Sequence, residues 1–64
     1  MKRAELIRRI EKAGCLLIRH GSRHDWYQNP ETKKAQPIPR HTEINEILAR
    51  HILKYLDITT GEQD

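Results

Sequence analysis

The chain has 64 residues, of which 36% are apolar and 33% charged, with a mean hydropathy of −0.87 and a net charge of +3. So short a chain buries only about 60% of the surface that its unfolded form exposes, which allows one domain with a small core and excludes a deep substrate pocket. One cysteine excludes an internal disulfide, and no apolar run reaches signal-peptide or membrane length, so the expected setting is the cytoplasm, with no membrane attachment.

The first predicted element is a helix over residues 3–13. Ala4, Leu6, Ile7, Ile10 and Ala13 recur at helical spacing with charges between them, and Gly14 follows as a C-terminal glycine. The run CLLIRH, residues 15–20, reads as a strand, with Cys15 a small buried thiol beside Leu16 and Leu17. Gly21, Ser22 and Arg23 form a three-residue turn, with the glycine free to take a left-handed conformation. The return strand is HDWYQN, residues 24–29. The expected register sets Leu17 opposite Tyr27, Ile18 opposite Trp26, Arg19 opposite Asp25, and His20 opposite His24, a pairing of complementary charges and shapes. Trp26 and Tyr27 point to opposite faces, and Trp26 is expected in the core.

NPETKK makes a second turn, and KAQPIP, residues 34–39, a third strand whose prolines belong at a sheet edge. Thr42 is the expected N-cap of a second helix over residues 43–56, with Glu43 and Glu46 in its first turn. Ile44, Ile47, Leu48, Ile52, Tyr55 and Leu56 form its apolar stripe, with His51 at the rim. DITTGEQD reads as a frayed polar end, giving a domain over residues 1–58 and a polar tail over 59–64. The order α-β-β-β-α is an α+β fold, a three-stranded antiparallel sheet with both helices on one face and the other face open. Double-stranded-RNA-binding domains share that element order.

The charge is unevenly placed. Residues 1–40 carry +6 and residues 41–64 carry −3. A clustered positive surface is the footprint of a nucleic-acid binder, although a charged solvated face is also ordinary for a small domain. Within the basic part, His24 follows the Gly21–Ser22 turn. Histidine can take or give a proton near neutrality, which RNA cleavage needs; it can equally be a half-exposed strand residue. Arg19, Arg23, Lys33, Lys34 and Arg40 are candidate phosphate partners, and the backbone N–H groups of Gly21 and Ser22 can face an oxyanion. His20, His24, His41 and Cys15 match no metal-ligand spacing, and Ser22 lacks the G-x-S-x-G context of a hydrolase nucleophile.

Four stretches carry a family resemblance over residues 1–58. MKRAELIRRIEKAG, HGSRHDWYQNPET, PIPRHTEI and ILARHILKYLDI stand in the order and spacing of HicA-type toxins of toxin–antitoxin pairs, and the chain resembles that family. The resemblance implies the fold of a double-stranded-RNA-binding domain and cleavage of mRNA without a metal ion or other cofactor, arresting translation and growth. It implies His24 as the catalytic histidine, with Gly21 and Ser22 as its turn, and a HicB-type antitoxin that covers this region. Arg23, Lys33, Lys34 and Arg40 are the expected RNA contacts by charge and position. A non-catalytic RNA-binding module of the same fold is the alternative.

Overall fold

The computed structural model describes residues 1–58; the tail expected at 59–64 lies outside the described residues. The element order is α1 (Arg3–Lys12), β1 (Leu16–His20), β2 (His24–Gln28), β3 (Ala35–Pro39) and α2 (Glu46–Tyr55). The strands form one antiparallel sheet in the order β1-β2-β3. This is the expected α+β fold, and it fits the plan of a double-stranded-RNA-binding domain.

One core holds it together. Leu6 and Ile10 of α1 and Ala49, Ile52, Leu53 and Leu56 in or next to α2 pack with Cys15, Ile44, Tyr27 and Ile38. Tyr27 and Ile38 are the buried side chains of β2 and β3. Strand alternation therefore puts Asp25 and Tyr27 on the helix-covered face and His24, Trp26 and Gln28 on the open face. Tyr27, only 6% exposed, is the core aromatic. Trp26, expected there, is half-buried on the other side. The β3 prolines, Pro37 and Pro39, sit on an edge strand, as expected.

The helix ends are set by backbone chemistry. Gly14 has φ +96°, and the N–H groups of Gly14 and Cys15 donate to the carbonyls of Glu11 and Ile10. That is a Schellman motif, with Cys15 and Ile10 supplying its apolar contact. The end of α2 repeats it: Asp57 and Ile58 donate to Lys54 and Leu53, with Asp57 in the left-handed position at φ 58°. Residues 57 and 58, expected to fray, are thus part of a helix cap.

At its start, α2 differs from expectation. Residues 42–44 are tied to the first residues of the chain: Arg3 N–H donates to Thr42 O and Ile44 N–H to Met1 O, both at 2.8 Å. A segment bridged in this way is not helical, so the helix begins at Glu46. Its N-cap is Asn45, which accepts from the N–H groups of Ile47 and Leu48 at 2.8 and 3.3 Å. The buried stripe is Ala49, Ile52, Leu53 and Leu56, a clean i, i+3, i+4, i+7 set. Ile47, Leu48 and Tyr55 fall outside it and stay exposed, as does His51. Asn45→Ala is expected to lower stability by about 1 kcal/mol, and Thr42→Ala by far less, in urea unfolding. Equal effects would place the cap elsewhere.

The hairpin register also shifts. Leu17 opposes Tyr27 as expected, but a bulge at Ile18 then sets Arg19 opposite Trp26 and His20 opposite Asp25. The expected pairs Ile18–Trp26, Arg19–Asp25 and His20–His24 are each displaced by one. An extra residue on one strand re-aims the side chains beyond it. Here it swings His20 onto the face of Asp25.

Candidate active site

The hairpin turn is clamped from below by one carboxylate. Asp25 Oδ2 accepts from Arg3 Nη2 of α1 at 2.8 Å. Its Oδ1 accepts from Arg40 Nε and Nη2 at 3.1 and 2.8 Å, and pairs with His20 Nδ1 at 2.9 Å. Only 13% of the Asp25 side chain is exposed, so these partners replace most of its water. The hydrogen bond from Arg40, then that from His20, hold its carboxyl far below the usual carboxylate range. In return Asp25 raises the Arg40 guanidinium above its ordinary value.

Arg40 passes the constraint on. Its Nη2 donates to Gly21 O at 2.7 Å and its Nη1 reaches Ser22 O at 3.4 Å. The Gly21 N–H closes the turn on His24 O at 2.7 Å. Gly21 serves closeness rather than a left-handed φ: a Cβ there would stand 3.0 Å from His24 O, a tight approach to backbone. One carboxylate thus joins α1, β1, β2, the residue after β3 and the turn.

The expected site residues divide into two groups. Gly21, Ser22, Arg23, His24 and Arg40 meet at the β1–β2 end of the sheet. Ser22, Arg23, Arg40 and His41 line an open cleft of about 420 Å³ there. His24 is exposed on the open sheet face and is not among its walls. Of the five N–H groups of Arg40, four are engaged with Asp25, Gly21 and Ser22, which leaves one Nη1 donor for a ligand. Arg23 is exposed and has no ion pair among the described residues.

Lys33 and Lys34 lie elsewhere. They belong to the β2–β3 turn, roughly 16 Å from His24 at about 3.3 Å per strand residue. That turn is built on buried Asn29, whose side chain donates to Leu56 O at 2.7 Å and accepts from Glu31 N–H at 2.9 Å. Lys33 takes a left-handed φ of 67° in it. Lys34 lies over the Tyr55 ring and pairs with Asp57 at 3.6 Å. Any RNA touching both groups must run the length of the sheet.

Asp25, Arg3 and His41 were not expected in the site. Asp25 and Arg19 looked like a sufficient cross-strand pair, and only the bulge and the packing of α1 redirect the carboxylate. A carboxylate only accepts, so His20 Nδ1 carries the proton of that bond and its Nε2 points away from Asp25. Among the described residues no three His, Cys, Asp or Glu side chains group as metal ligands do, and no helix is long and apolar enough to cross a membrane.

Residues 3–58 match a family model described as the HicA toxin of bacterial toxin–antitoxin pairs. No curated protein and no solved structure matches the chain.

Proposed function

The chain belongs to the HicA toxin family, which covers nearly all of it, and from that membership we propose that it is a type II toxin that cleaves mRNA in the cytoplasm without a metal ion. A HicB-type antitoxin neutralises it by covering the His24 region. The observation that carries the chemical assignment is an exposed histidine directly after a rigidly held basic turn.

In this mechanism His24 exchanges a proton with the reacting RNA. As a base it takes the proton of a 2′-hydroxyl, whose oxygen attacks the adjacent phosphorus. The bond to the 5′-oxygen breaks, that oxygen leaves with a proton drawn from solvent water, and His24 then releases to solvent the proton it took. The products are a 2′,3′-cyclic phosphate and a 5′-hydroxyl. Arg23 and the remaining Nη1 donor of Arg40 face the charge on the phosphate. The Gly21 N–H is spent on His24 O, so the turn contributes the N–H groups of Ser22 and Arg23. Lys33 and Lys34 engage the backbone of a longer strand at the far turn.

Purified protein is expected to cut RNA equally well with and without EDTA and to leave 5′-hydroxyl ends. Loss of cutting in EDTA would exclude the metal-free route. The alternative, a binding module that leaves RNA intact, is favoured by one observation: no described residue orients the His24 ring by a hydrogen bond, whereas Asp25 orients His20. Recovery of intact RNA from a salt-sensitive complex would establish it.

A further inference from the structure

We infer that Trp26 is a nucleobase-stacking site, which takes the base next to the phosphate handled by His24; this rests on the RNA-cleaving reading above. Trp26 lies between Asp25 and Tyr27, both of which face the helices, so its indole lies on the opposite, open face. His24 shares that face two residues away, roughly 7 Å along the strand. The indole Nε1 end turns toward the hairpin bend: it stands 3.8 Å from where a Cβ on Gly21 would lie. The aromatic surface therefore adjoins the proposed reaction centre, not the far turn.

Its surroundings suit a base better than a protein core. The cross-strand neighbours are Arg19 and Pro37, a cation and a compact apolar ring. Strand parity puts no Asp or Glu on this face, and the nearest acid, Asp25, points the other way and is neutralised by two arginines. A half-buried tryptophan in a field that favours anions is the arrangement that single-stranded nucleic acid uses for stacking. The charge rule selects the occupant: an RNA strand brings both a π-face for Trp26 and phosphates for Arg19 and Arg23.

Trp26 is the sole tryptophan, so its emission reports on this site alone. The probe is a short single-stranded RNA with 2′-O-methyl riboses, which binds but lacks the attacking hydroxyl. Binding is followed by anisotropy of a labelled oligonucleotide, stacking by tryptophan quenching. Quenching is expected at saturation, Trp26→Ala is expected to weaken binding about tenfold, and Trp26→Phe is expected to retain most of it. An abasic site at the stacked position is expected to abolish quenching in the unaltered protein, which removes folding of the variants from the argument. Binding with unchanged emission, or Trp26→Ala within twofold of wild type, overturns the stacking site and leaves the ribonuclease reading standing. Quenching by the antitoxin but not by RNA also overturns it. No binding of RNA at low salt overturns both.

Discussion

His24→Ala is expected to lower RNA cleavage by about 10²–10⁴-fold, the usual contribution of a positioned acid or base. The same change is expected to leave the melting midpoint nearly unmoved, because the side chain is exposed and outside the core. Expression of wild type is expected to arrest growth and fragment mRNA, and expression of the variant to do neither. His20→Ala is the necessary comparison. His20 has the oriented ring, with Nδ1 bonded to Asp25 and Nε2 directed away from it, on the opposite sheet face from His24. If His24→Ala still arrests growth while His20→Ala does not, the proton carrier is the Asp25-held histidine. Cleavage by wild type is expected to depend on pH under conditions where the fold persists, and a pH-independent rate would argue against either histidine as the proton carrier.

Much of this geometry was readable in the chain because it is local. The periodicity of Leu6 and Ile10, the glycine after the first helix and the prolines of the third strand each act within a few residues, and each element formed where it was expected. Contacts between distant segments were not readable. Thr42 has the chemistry of an N-cap, but the pairing of residues 42–44 with Met1–Arg3 takes the backbone there and hands the cap to Asn45. Trp26 outranks Tyr27 in apolar area, yet strand parity sends it outward. That parity was known in advance; which face the helices would cover was not. The site followed the same rule. The turn and His24 form one contiguous stretch. Their support from Arg3, Asp25 and Arg40 is drawn from distant parts of the chain and appears only when the fold is closed.

Asp25→Asn is expected to test that support through its pH dependence. The folded protein holds the Asp25 carboxyl below its unfolded value of about 3.9, through Arg40, His20 and Arg3. A lowered folded value means that the unfolded chain binds the proton more readily. The stabilisation is therefore complete above about pH 5 and drains away as the pH falls below about 4. Wild type is expected to exceed Asp25→Asn in urea midpoint at pH 7, with the gap closing toward about pH 2; parallel curves would show that the carboxylate charge contributes nothing. The variant also leaves Arg3 and Arg40 facing each other without the anion between them. Arg40 then loses its hold on Gly21 O and Ser22 O, and the turn before His24 loses its reference position. A catalytic turn displaced by as little as 1 Å costs about 100-fold in rate. Cleavage by Asp25→Asn is accordingly expected to fall about 100-fold at pH 7, under conditions where the variant is still folded. Full activity in a destabilised but folded variant would reduce Asp25 to a structural anchor and detach the clamp from the chemistry of His24.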